Sequence, residues 1–153
     1  FQNCFSSEYD MYKITVEDFR PSTDKKNLFF YWMDDASAQT GTYQTLYWHE
    51  DSLGSTGVDL VENQNIAILS NNTGSDGRES ATGTFYCNPM SSTINKWLIQ
   101  RGIGQMSSDN ESRTRSWKSA TSYASTSAFN GIRFYWSAGN FESGKVRIYG
   151  KQK

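Results

Sequence analysis

Five consecutive residues, Tyr47-Trp48-His49-Glu50-Asp51, place two flat rings, the single histidine and two carboxylates in one short stretch. That set suits carbohydrate recognition. A sugar presents apolar C–H faces that stack on rings and hydroxyls that need paired donors and acceptors. Small-molecule clefts combine apolar walls with a few placed polar groups in this way. Tyr47, Trp48 and Asp51 are therefore the expected ligand-binding residues. Packing in a core or between subunits is the commoner use of such rings, because aromatic side chains supply large contact areas.

Catalytic readings of the same residues are weaker. Asp34-Asp35 and Glu50-Asp51 could imitate the acid and base of a glycosidase, but those carboxyls must face each other across a cleft, and neighbours on an extended chain diverge. The same divergence argues against His49, Glu50 and Asp51 closing on a transition metal, which needs several converging ligands. Calcium held by loop carboxylates and carbonyls is the more accessible metal reading. There is no Gly-x-Ser-x-Gly elbow and no phosphate loop ending in Gly-Lys-Ser or Gly-Lys-Thr. Cys4 and Cys87 form no CxxC pattern, and separate buried thiols are favoured over a disulfide. The expectation is a noncatalytic protein without a cofactor or metal.

Fifteen Lys and Arg against sixteen Asp and Glu leave a formal charge of -1, so no whole-chain field draws in a nucleic acid or an anionic membrane. Arg113, Arg115 and Lys118 around Trp117 could imitate a basic groove with a stacking ring, but Asp109 and Glu111 oppose that field. A second basic set, Arg133, Lys145, Arg147, Lys151 and Lys153, surrounds the end of the chain. No apolar run approaches the roughly 20 residues of a membrane-spanning helix.

The elements that must position these residues read as strands. Aromatic residues fill 15% of the 153 positions and no segment sustains helical periodicity, a composition that suits one all-β domain over residues 1–153. Tyr9 to Glu17 alternates, and Phe19 to Asp24 turns away. Leu28 to Met33 is apolar on both faces and reads as a central strand needing cover from an opposing sheet and from a loop, tail or neighbouring subunit. Thr42 to Trp48 is extended, and His49 to Asn65 reads as a long loop. Ile66 to Leu69, Thr82 to Cys87 and Lys96 to Ile103 follow as strands. Glu111 to Ala120 reads as a solvent-facing strand near an edge. In Ile132, Phe134 and Trp136, then Val146 and Ile148, large residues alternate with polar ones, as in a half-buried antiparallel pair. Eight or nine strands between turn-rich loops make an antiparallel β-sandwich, with a jelly roll as its expected form and a barrel as runner-up.

Both ends of the chain carry a further signal. Tyr9-Asp10-Met11-Tyr12-Lys13-Ile14, the turn Pro21-Ser22-Thr23-Asp24, the strand Asn130-Gly131-Ile132-Arg133-Phe134 and the run Ser137 to Gly150 resemble small jelly-roll or β-sandwich modules of tailed-bacteriophage virion proteins. Tail-fibre and receptor-binding components are the nearest class. The resemblance implies a structural protein at the virion surface or tail, with other virion proteins as partners, a host-surface carbohydrate as candidate ligand and a homo-oligomer, a trimer among the options. A capsid decoration or assembly module is the alternative, and a carbohydrate-active enzyme a third class. The resemblance supplies no catalytic residue, and it does not cover His49 to Ser80.

Overall fold

The computed structural model describes residues 1–64, 67–76, 79–108 and 111–152. Within them lie eleven strands: β1 (Tyr9–Pro21), β2 (Lys26–Asp34), β3 (Ser37–Ala38), β4 (Tyr43–Asp51), β5 (Thr56–Gln64), β6 (Ala67–Thr73), β7 (Ala81–Cys87), β8 (Lys96–Ser108), β9 (Glu111–Tyr123), β10 (Gly131–Trp136) and β11 (Phe141–Gln152). Every pairing is antiparallel. Seven strands make one sheet in the order β11-β1-β7-β8-β9-β4-β5. A smaller sheet runs β6-β2-β10, with β3 added to the end of β2. Hydrogen bonding links all eleven strands, and among the described residues the two sheets are paired to each other only where Thr73 of β6 meets Met106 of β8. The result is an antiparallel β-sandwich joined along one corner, the all-β architecture expected from the alternation.

Period-two patterning explains which side chains fill it. On β1, Tyr12, Ile14 and Val16 are buried while Lys13 is exposed. On β10, Ile132, Phe134 and Trp136 point inward beside Trp32, Phe30 and Leu28 of β2, in that register. Rings then bridge the layers. Phe134 lies 5.8 Å from Phe85 and 5.7 Å from Phe19, both from the larger sheet. At the other end Trp32 contacts Phe5 at 6.2 Å and Phe129 at 6.5 Å, and Tyr43 contacts Phe30 at 5.8 Å. Such offset and edge-on pairs each add roughly 0.5–1.5 kcal/mol beyond area burial.

Three local expectations are corrected. β10 and β11 do not pair: β10 joins β2 and β11 joins β1, so the last two strands arch between sheets. The stretch after His49 is no long loop, because β4 runs to Asp51 and β5 returns along it from Thr56. β9 is not a solvent-facing strand: from Arg115 to Tyr123 it lies between β8 and β4, and Arg115, Trp117, Ser119, Thr121 and Tyr123 are buried. With β3 and β5 included, the strands outnumber the eight or nine expected. β2 does sit centrally, and its second face is covered from within the chain: Tyr135 stacks on Tyr31 at 4.8 Å and meets Phe29 at 5.4 Å. Both cysteines are free, with Cys87 fully buried.

Burial pushes the Cys87 thiol above its ordinary 9.0, with a smaller push from neighbouring Cys4. It likewise raises the Tyr43 phenol above 10.0, against the opposing Trp32 N–H donated to it. Cys4, Tyr123 and Tyr135 shift the same way, chiefly through desolvation. Lys96 shifts oppositely, held below 10.5 by burial. Below the ordinary values of the raised acids, both folded and unfolded chains hold these protons and they add no slope. Above them the unfolded chain releases protons that the fold retains, so stability falls as pH rises. Cys87 and Tyr43 would each remove about 1.4 kcal/mol per pH unit there. Urea midpoints should stay level from about pH 7 to about pH 8.5 and drop above about pH 10. Cys87→Ala should flatten that drop.

Candidate functional site

β4 carries the residues expected to bind a ligand, and its pleat separates them. Tyr43, Thr45, Tyr47 and Asp51 are buried on the inner face, whereas Leu46 and Glu50 are exposed and Trp48 half-buried on the outer face. Successive side chains on a strand point to opposite faces, so Tyr47-Trp48 cannot form one platform. Tyr47 is only 2% exposed and packs beside His49 at 5.7 Å, which corrects its expected role as a stacking ring for a ligand. The His49 ring in turn fills the space over Gly57 on β5, where a Cβ would collide with it.

Asp51 is also inward. Its Oδ1 accepts the N–H groups of Leu53 at 3.0 Å and Ser55 at 3.1 Å, and its Oδ2 lies 3.6 Å from Arg115 Nη2 on β9. Asp51 N–H donates to Ser55 O at 2.9 Å, closing the turn into β5. This carboxylate is spent on holding the β4–β5 hairpin and neutralising a buried guanidinium. Asp35 is exposed and is itself held by Asn130, whose Nδ2 donates to Oδ1 at 2.7 Å. Among the described residues no group of three or more His, Cys, Asp or Glu converges as for a metal.

The residues that could imitate a basic groove are likewise divided. Arg115 and Trp117 point inward, and Lys118 points outward with its Nζ 4.6 Å from the Trp48 ring centre. The Trp117 indole occupies the place a Cβ would take on Gly102, its direct partner on β8. The side chain of Arg113 lies outside the described residues. Arg147 pairs with Glu17, so one member of the basic set near the chain end is neutralised locally.

The outer face of the seven-stranded sheet gathers what the sequence reading left scattered. Direct cross-strand pairing aligns Leu60, Leu46, Ala120, Ile99 and Tyr86 in one row across β5, β4, β9, β8 and β7. Leu60, Leu46, Ile99 and Tyr86 are 63%, 50%, 51% and 42% exposed, so no layer of the chain covers them. On one side lies the row Val58, Trp48, Lys118, Arg101 and Thr84, and on the other Gln44, Ser122 and Trp97. A shallow groove of about 360 Å³ follows the central row between Leu60 and Ile99. The sequence held one signal for this face: Leu46 and Trp48 alternate out of phase with the buried Tyr43 and Tyr47. Which rows the other strands would add depended on pairings no local pattern specifies. Among the described residues no helix is long and apolar enough to cross a membrane.

The two roles on β4 separate by substitution. Asp51→Ala should cost about 3 kcal/mol in urea denaturation, since it strands a buried guanidinium and two turn N–H groups. Trp48→Ala should cost about 1 kcal/mol or less, because its ring is half exposed and touches mainly the Lys118 ammonium. Equal losses would refute the structural assignment of Asp51.

Compared with known proteins, the chain matches no protein-family model, no curated protein and no solved structure.

Proposed function

We propose that the chain is a noncatalytic structural module of a bacteriophage surface appendage, a tail fibre or tail tip, that assembles with copies of itself through the outer face of its seven-stranded sheet. The observation that carries this reading is the exposed apolar row Leu60-Leu46-Ala120-Ile99-Tyr86. Monomeric proteins seldom leave a contiguous apolar patch of this kind open to water, and such patches mark interaction surfaces. The resemblance at both chain ends supplies the phage context.

The flanking rows favour a second copy as occupant. Turned about an axis along the apolar row, a facing copy sets Lys118 opposite Ser122 and Arg101 opposite Trp97, with no cation opposite its own image. The central rows then meet each other, and the guanidinium–indole pairing adds a cation–π contact. A closed, self-complementary interface follows from that two-fold arrangement. Repetition of the module would multiply any weak contact it makes elsewhere. A capsid decoration, binding a different virion protein by the same face, is the alternative.

Light scattering over a range of protein concentrations tests the assembly. The wild-type chain should self-associate, and the double variant Leu46→Lys, Ile99→Lys should remain monomeric with the wild-type far-UV circular dichroism, because both residues are exposed. A wild-type chain that stays monomeric at all concentrations would turn the face toward another protein and overturn the self-assembly reading.

A further inference from the structure

We infer that a second surface, the cleft between the start of β1 and the β7–β8 loop, is a binding site for a neutral saccharide. It encloses about 590 Å³, within the range of small-molecule sites. Its apolar lining comes from the half-buried side chains of Tyr9, Met11, Met90 and Trp97. Its polar lining comes from Asp10 and from the hydroxyls of Ser7, Ser92 and Thr93. Rings and thioethers offer flat, polarisable surface for sugar C–H faces, and the hydroxyls and carboxylate can pair with sugar hydroxyls.

Charge narrows the ligand class. No lysine or arginine lines the cleft, so an acidic sugar or a phosphate would find no cation in its walls to pair with. The lining therefore disfavours an anion, and its several hydroxyls favour a neutral sugar.

The loop wall is held in place before any ligand arrives. Asn88 is buried and braces both ends of the loop, its Oδ1 accepting the Trp97 N–H at 2.7 Å and its Nδ2 donating to Asn95 O at 3.4 Å. Ser91 Oγ accepts the N–H groups of Thr93 and Ile94, both at 3.4 Å. Beneath them the Lys96 ammonium, wholly buried, donates to the carbonyls of Ser91, Ile94 and Ser125 and sits 5.8 Å from the Phe129 ring centre. A buried charge is costly unless its donors are satisfied, so this lysine ties the loop to the sandwich. A wall fixed in advance spares the ordering cost on binding, which is how a small cleft retains affinity for a polar ligand.

The cleft and the assembly face share Trp97, so Tyr9→Ala, which touches the cleft and not the outer-face groove, keeps the two readings apart. Methyl β-D-glucopyranoside, methyl β-D-galactopyranoside and maltose are titrated against the full chain, with glucuronic acid as the anionic comparison. Saturation-transfer NMR and tryptophan fluorescence read binding. At least one neutral sugar should saturate in the millimolar range. Tyr9→Ala and Trp97→Leu should each weaken it roughly tenfold or more. Trp48→Ala and Leu46→Lys should leave it unchanged, since both lie outside the cleft. If Trp97→Leu does not fold, Asp10→Asn with Tyr9→Ala serves in its place. The inference is overturned if no neutral sugar saturates, if binding survives the cleft variants, or if glucuronic acid binds more tightly.

Discussion

The sandwich depends on rings that cross between sheets of unequal width. The smaller sheet is three strands wide with a two-residue extension, against seven strands opposite. Few inward positions are therefore available to it, and each must reach far. Leu28, Phe30 and Trp32 on β2, with Ile132, Phe134 and Trp136 on β10, are all nearly or wholly buried. Phe134 alone touches Phe85, Phe19 and Phe1. A short aliphatic residue there would leave a void between layers, and core voids cost stability in proportion to their volume. The high aromatic content of the chain is the composition such a narrow cover requires.

Where that cover ends, the polarity of the large sheet changes. Near β1 and β7 the inner face is Ile14, Val16, Phe85 and Ala81, the usual apolar interior. Toward β9 and β4 the inner face acquires paired polar groups: Ser119 Oγ donates to Gln100 at 2.9 Å, Thr45 and Thr121 share a hydrogen bond at 3.0 Å, and Asp51 meets Arg115. Buried polar atoms are tolerable only when partnered, and these pairs run across adjacent strands in register. Over the same strands the outer face becomes apolar, with Leu46, Ala120 and Ile99. The sheet's far half thus has a partly polar interior and a partly apolar exterior.

That inversion explains what was legible in the sequence. Strands with a fully apolar inner set, β1, β7 and β10, stand out by alternation, although β1 runs on to Pro21 through the segment expected to turn from Phe19. The apolar double-faced run Leu28 to Met33 also told its central position, because both faces needed cover. In the sequence β9 reads as a solvent-facing strand near an edge because its inner residues, Arg115, Ser119 and Thr121, are polar and buried only through partners on other strands. The same holds for Asp51: five residues viewed in a line look like a ligand site, but the pleat turns its carboxylate and the Tyr47 ring inward. The arch from β10 to β11 was hidden for a different reason. Alternation fixes which face a strand buries, not which strand it pairs with, and register is settled by contacts distant in sequence.

The two candidate surfaces also differ in how the fold could afford them. The outer apolar row is built on β-strands whose backbone positions are fixed by ladders, on both sides for all but the edge strand β5, so its shape follows from the sheet. The cleft lies against a loop, and loops carry binding groups well only when a rigid scaffold positions them. Lys96 and Asn88 provide that support from below and from the ends, with polar groups that contribute nothing to the apolar core. A buried lysine satisfied by three carbonyls from two loops is an unusual way to close a sandwich end, since an aliphatic residue would pack there without a charge to satisfy. Its presence is accounted for if the geometry of the Ser91–Ile94 segment matters beyond packing. The rigid surface would then mediate assembly, and the braced loop would carry recognition.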